Sequence, residues 1–182
     1  MTTTLVYTHD PMCSWCWAFR PVYDHIVREL PATVRLKRLL GGLAPDTDEP
    51  MPDSMREYVQ GHWQRIRETV PGTRFNLDFW TRCNPRRATY PACRAVIAAR
   101  EQSPEYDDDM TLAIQRAYYL EARNPSDNNT LIDLAGEIGL DRNRFTNDLE
   151  STQTMNTLKK EISEVQNLGL DRFPSLAMLK GG

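Results

Sequence analysis

The hydrophobic pattern changes twice along the chain. Residues 4 to 8, TLVYT, form a short β-type run, and SWCWAFRPVYDHIVREL sets Trp15, Phe19, Val22, Ile26, Val27 and Leu30 at near-helical spacing. Pro21 lacks a backbone donor and is expected to break or bend that helix. TVRLKRLLGGL then alternates Val34 and Leu36 before Leu39 and Leu40 and closes on Gly41 and Gly42, a second strand. Strand, helix, strand implies a βαβ unit with parallel strands.

From Pro45 to about Gly169 the period stays helical. PDSMREYVQGHWQRIRETV puts Met55, Tyr58, Val59, Trp63 and Ile66 on one stripe, and YPACRAVIAARE and MTLAIQRAYYLEAR repeat the pattern. NTLIDLAGEIGL ends at Gly139, a good residue just past a helix, and Asp141 is placed to cap RNRFTNDL. TMNTLKKEISEVQNLGL is a last helix stopped at Gly169. DRFPSLAMLKGG then turns through Phe173-Pro174 into a short apolar strand. No internal repeat or low-complexity linker divides the chain.

Composition narrows the chemistry. The 182 residues suit one well-cored domain, or a small domain carrying a large insertion. A net charge of −3, with both signs interspersed, offers no field that would attract nucleic acid or an anionic membrane, so neither is expected as a partner. The opening MTTTLVYTHD has no secretory pattern and no window approaches a membrane span, so a cytoplasmic location is expected. In that compartment four cysteines point to catalysis, metal binding or burial before a structural disulfide framework.

Cys13 and Cys16 stand two residues apart between the first strand and the first helix. A CxxC alone fits a redox pair, half of a zinc site, or two buried small residues. Position favours the first. A cysteine at a helix start faces free N–H groups and the positive dipole end, which stabilise thiolate, and Cys16 lies one turn on, within disulfide reach. Cys83 and Cys93 are spaced too far apart for a single-turn pair or a zinc knuckle. Burial is the ordinary expectation for both, and it fits the polar-loop Cys83 less well than Cys93. His9 could favour the thiolate or be structural, and His25 and His62, on charged helices, should be solvated. Arg86, Arg87 and Arg94 near Tyr90 could cradle an acidic thiol such as glutathione, or be a solvated helix start. Trp15, Trp17, Trp63, Phe79 and Trp80 could line an apolar groove, although large aromatics are usually core. No metal is expected, since no second close Cys or His pair accompanies the CxxC.

DPMCSWCW, YPACRAVIAA, AIQRAYYLEAR, LAGEIGL and LGLDRFPSL together resemble the DsbA family of thioredoxin-fold thiol-disulfide oxidoreductases, and within it the cytosolic branch related to FrnE and 2-hydroxychromene-2-carboxylate isomerases. The resemblance covers nearly the whole chain. It implies an α/β fold: a thioredoxin-like sheet from residues 1–44 and 170–182, with an all-helical insertion over 45–169. It further implies Cys13 as attacking thiol, Cys16 as resolving thiol, and Pro174 as a cis-proline against the pair. Phe173 would touch substrate and sulfur, and Ser14 and Trp15 would help set the potential.

Family members continue into a fourth strand and a final helix, so those two elements are expected to be missing here. An uncovered edge strand can associate, which makes a homodimer an expectation. Three functions follow. They are exchange of protein or small-molecule disulfides through Cys13 and Cys16 without further cofactor, glutathione-dependent isomerisation, and a non-catalytic zinc or partner-binding module. The isomerase branch typically carries Ser where Cys13 stands, which disfavours the second.

Overall fold

A computed structural model of the chain describes residues 3–180. The first strand, β1 (Thr3–His9), is central. It pairs in parallel with β2 (Val34–Leu40), from Thr3 opposite Val34 to His9 opposite Leu40, and antiparallel with β3 (Ser175–Lys180), from Thr3 opposite Lys180 to Thr8 opposite Ser175. The sheet order is β2-β1-β3. Helix α1 (Ser14–Glu29) crosses between β1 and β2, as the strand-helix-strand pattern implies. Pro21 does not end it: α1 runs on as one helix to Glu29, held by Ala18, Arg20 and Tyr23, which are buried.

The period-2 alternation of β1 gives its two faces to different layers. Tyr7 and His9 share one face, their rings stacked at 4.9 Å, with Tyr7 also on Tyr23 of α1 at 4.5 Å. Val6 and Thr8 take the other. Val6 packs with Leu39 and with Val165 of the last helix, α8 (Thr152–Asn167), and the Thr8 hydroxyl donates to the carbonyl of Leu170 at 3.1 Å.

Between the strands stand α2 (Asp53–Thr69), α3 (Phe79–Arg82), α4 (Tyr90–Gln102), α5 (Tyr106–Tyr119), α6 (Asn128–Glu137) and α7 (Arg142–Leu149) before α8. Helix α4 is apolar nearly all round, as a central buried helix must be, and its alanines let neighbours approach closely. Val96, Ile97, Met110, Ile114, Leu131, Leu134, Phe145, Leu149 and Leu158 close the main core around it. A second core is aromatic: Trp63, Phe79, Trp80, Tyr118 and Tyr119 are buried together, so three of the five aromatics that could have lined a groove are core.

The local signals of the sequence account for the helix ends. Asp141 accepts from the N–H groups of Asn143 and Arg144, and Gly139 (φ 88°) terminates α6. Helix α5 starts earlier than its apolar period suggests, because Asp107, Asp108 and Asp109 favour the positive end of the dipole, and it stops at Tyr119. The single-turn α3 is too short to show a period.

An ion cluster, buried at Asp107 and Glu161 and open to solvent at Asp108, ties the layers together. Arg38 of β2 lies 2.8 Å from Asp107 Oδ1, pairs with Asp108, and donates to the Thr111 hydroxyl at 2.9 Å and the Tyr23 hydroxyl at 3.1 Å. Arg20 of α1 meets Asp108 at 2.5 Å, and Arg100 of α4 bridges Asp107 (3.2 Å) and Glu161 of α8.

Candidate active site

The chain leaves β1 at His9 and enters α1 at Ser14, and Asp10 shapes the turn between them. Its backbone carbonyl accepts from the Cys13 N–H at 3.0 Å, and its buried carboxyl accepts from the Met12 N–H (2.8 Å), the Leu43 N–H (2.8 Å) and the Thr89 hydroxyl (2.7 Å). One carboxylate thereby fastens the loop before α1 to the loop after β2 and to the start of α4. Burial raises its pKa, against the donors that lower it. The Cys93 thiol also faces it, at 3.6 Å.

Cys13 is the N-cap residue of α1, with φ −79° and ψ 117°, and its side chain is almost buried at 7 % exposure. Cys16 is fully buried one turn on. A hydrogen bond from the Cys16 thiol is the main influence holding Cys13 below the ordinary thiol pKa; burial opposes it, and the N–H groups of Cys16 and Trp15 at the helix start assist. Burial, then the bond to Cys13, drives Cys16 well above it. The two thiols are thus differentiated, one ready to ionise and one held as a donor.

The Phe173-Pro174 bond is cis and its loop lies against the pair. Contact with the sulfur is made by the Phe173 carbonyl, 3.5 Å from Cys13 Sγ. The Phe173 ring is packed instead over Gly41, where a Cβ would stand 1.8 Å from its Cζ.

Beside Cys13 opens a cavity of about 190 Å³. Ser14, Trp15, Met51 and Phe173 line it together with Arg86, Arg87 and three residues of α2, Tyr58, Val59 and His62. The expected solvated His62 is instead in the wall: its Nδ1 accepts from the Trp15 indole N–H at 3.4 Å, and Tyr58 sits edge-on to its ring at 4.6 Å. His25 is exposed on α1.

His9 does not join the site. It is buried, its Nε2 lies 3.5 Å from Arg38, and burial followed by the charges of Arg38, Arg20 and Arg100 lowers its pKa well below the ordinary value. A neutral imidazole turned toward an arginine offers the thiolate no charge, so the suggested aid to Cys13 is not supported. Cys93 is buried on α4, as its apolar helix indicated, whereas Cys83 is half-buried and its thiol donates to the Ala122 carbonyl at 3.0 Å. Of the three arginines, Arg94 is paired to Asp46 (2.8 Å) and Arg86 to Asp127 (2.8 Å).

Asp10, His62, Tyr58 and Met51 are site residues that sequence reasoning did not select. For Asp10 a usable signal existed, an acidic residue at a strand end three positions before the first cysteine. Among the described residues, no three His, Cys, Asp or Glu side chains converge to hold a metal ion, and no helix is long and apolar enough to cross a membrane.

A sheet of this order, with a CxxC opening its first helix and a cis-proline loop against it, defines the class. The chain belongs to the thioredoxin family, whose model, described as Thioredoxin, matches residues 7–180. Its DsbA-like form is shown by solved structures. A candidate protein disulfide isomerase from Nitrosomonas europaea superposes with a TM-score of 0.85 at 30% identity, covering 100% of this chain and 86% of that one. The cytosolic disulfide reductase DsbM from Pseudomonas aeruginosa does so at 0.78 and 25% identity, covering 97% and 89%, and has also been solved with GSH. Among curated proteins, the ClpXP adapter protein SpxH of Halalkalibacterium halodurans is 25% identical over 175 residues, 93% of this chain and 56% of its own length. The chain spans about half the length of the curated relatives it matches.

Proposed function

We propose that the chain is a cytoplasmic thiol-disulfide oxidoreductase acting on protein or small-molecule disulfides through Cys13 and Cys16. The observation that carries this reading is the inequality of the two thiols: Cys13 lines the cavity with its pKa lowered, and Cys16 is wholly buried behind it with its pKa raised.

In the reducing direction the Cys13 thiolate attacks one sulfur of R–S–S–R′. A Cys13–S–S–R bond forms as the substrate S–S bond breaks, and R′–S⁻ leaves and takes up a proton. The Cys16 thiol then gives its proton to the departing thiolate and attacks Cys13 Sγ, releasing R–S⁻, which is protonated in turn. The dithiol has been oxidised by two electrons and the substrate reduced to two thiols. A low-molecular-weight thiol, two equivalents per cycle, returns the pair to the reduced form. Pro174 and the Phe173 carbonyl hold the substrate chain against Cys13, Ser14 lines the floor, and Trp15 is fixed by His62.

Turnover of oxidised insulin or of a glutathione-linked dye tests the assignment. Cys13→Ser should lose all of it, and Cys16→Ser should lose steady turnover. Full turnover by either variant would remove the reading. A second reading draws on the curated relatives, which are described as adapters: the same fold would hold a protein partner without thiol exchange. It predicts that a Cys13→Ser, Cys16→Ser double variant binds its partner unchanged.

A further inference from the structure

The cavity beside Cys13 has a charge pattern that disulfide exchange does not itself require. Its lining contains two guanidinium groups and one imidazole, and no carboxylate. Arg86 is engaged within the protein, donating to the Ser126 carbonyl at 2.5 Å and paired with Asp127. His62 is held by Trp15. Arg87 is half-buried in the same wall and has no ion pair and no side-chain hydrogen bond among the described residues. A partly desolvated guanidinium with open donors is an incomplete site, because its fork geometry matches a carboxylate through paired hydrogen bonds. The protein carries a net charge of −3, so this positive spot is local to the cavity.

Size and polarity restrict the occupant further. At about 190 Å³ the cavity is below the roughly 300–1,000 Å³ that encloses a whole small ligand, so it receives only the attacked half-cystine and its immediate neighbours. Met12, Leu43, Met51 and Val59 supply an apolar wall for the stem of such a group, with Arg87 as its charged end.

Resting on the oxidoreductase reading, we infer that Arg87 determines specificity by pairing with a carboxylate next to the attacked sulfur, so that the substrates are acidic disulfides. The same chemistry is offered by an acidic peptide and by a small thiol bearing carboxylates.

The test compares matched substrates within each variant, so that any loss of folded protein cancels. In the peptide arm, three quenched cystine peptides differ only in Glu, Gln or Lys beside the cysteine. In the small-molecule arm, oxidised glutathione is compared with its carboxamide. Wild type should favour the carboxylate form in at least one arm by about tenfold in kcat/KM, chiefly through KM, with the preference shrinking at 0.5 M salt. The arm showing it identifies the source. Arg87→Gln should bring the ratio close to one, and Arg87→Lys should keep part of it. Turnover with ratios near one in both arms of wild type, or a ratio unaltered in Arg87→Gln, overturns the inference and leaves the oxidoreductase reading standing. Absence of turnover with every substrate removes that reading first, and this inference with it.

Discussion

Gly41→Ala adds one methyl group at the back of the site. The new Cβ would stand 1.8 Å from Phe173 Cζ, 2.2 Å from Cε1 and 2.5 Å from Cε2, whereas real contacts of this kind do not fall below 3.0 Å. The ring must retreat by roughly 1 Å, and the residue that bears it also carries the carbonyl 3.5 Å from Cys13 Sγ. Overpacking of this kind costs about 1–3 kcal/mol. Gly41 has no positive φ, so loss of glycine's freedom in the unfolded chain returns about 0.4–1 kcal/mol. The net expectation is a loss of about 1–2 kcal/mol, read as a lower urea midpoint at constant m-value and a melting temperature lower by about 2–8 °C for a chain of this size. The iodoacetamide rate at Cys13 should change as well. On a Phe173→Ala background, where the ring is absent and the carbonyl remains, Gly41→Ala should be neutral or stabilising and the Cys13 rate should return. Equal destabilisation in both backgrounds would refute the contact, and with it the link from the β2 terminus to the sulfur.

Other consequences are equally direct. Arg38→Ala leaves Asp107, 11 % exposed, with Arg100 as its remaining cation and removes the bonds to Thr111 and Tyr23, which should cost about 1–3 kcal/mol in chemical denaturation, and no measurable change would show that the cluster contributes little. Burial holds the Asp10 carboxyl above its ordinary 3.8, so the folded state favours its protonated form; that stability is present at low pH and lost as pH rises from 3.8 through the raised value. Stability of wild type minus that of Asp10→Asn should therefore fall with rising pH across this window, and a flat or rising difference would contradict the assignment. Because the hydrogen bond from Cys16 is the main cause of the lowered Cys13 pKa, Cys16→Ala should move the pH midpoint of Cys13 alkylation upward, whereas Cys16→Ser, which can still donate, should hold it lower.

The elements that build the fold were legible because their signals are local. TLVYT is a short β-type run, TVRLKRLL alternates at its start, the helical stretches keep their period, and Gly139, Asp141 and Gly169 mark ends by chemistry confined to a few residues. The CxxC was legible for the same reason, whereas the place of the Pro174 loop against it came from the family resemblance, since 160 positions separate Cys13 from the Phe173 carbonyl it meets. The rest of the site depends on which helix face meets which loop. Tyr58 lies on the apolar stripe of α2, yet it is 59 % exposed and turned edge-on to His62. His62 reads as one more polar residue on a charged helix until α2 is packed beside Trp15. The three arginines look alike in sequence, and only the positions of Asp46 and Asp127 separate Arg87 from the others. His9 stayed open between aiding the thiolate and being structural because a strand end near the cysteines does not reveal which face of the sheet the ring takes, and its burial beside Arg38 fits the structural reading.

The most direct test of dithiol exchange at Cys13 is the mass of the trapped intermediate. Cys16→Ser, incubated with a disulfide substrate and digested without reductant, should give one mixed disulfide, located on the peptide containing Cys13, which wild type resolves and does not accumulate. A substrate adduct at Cys83 or Cys93 with Cys13 unmodified, or no adduct under conditions where wild type turns over, would contradict the account.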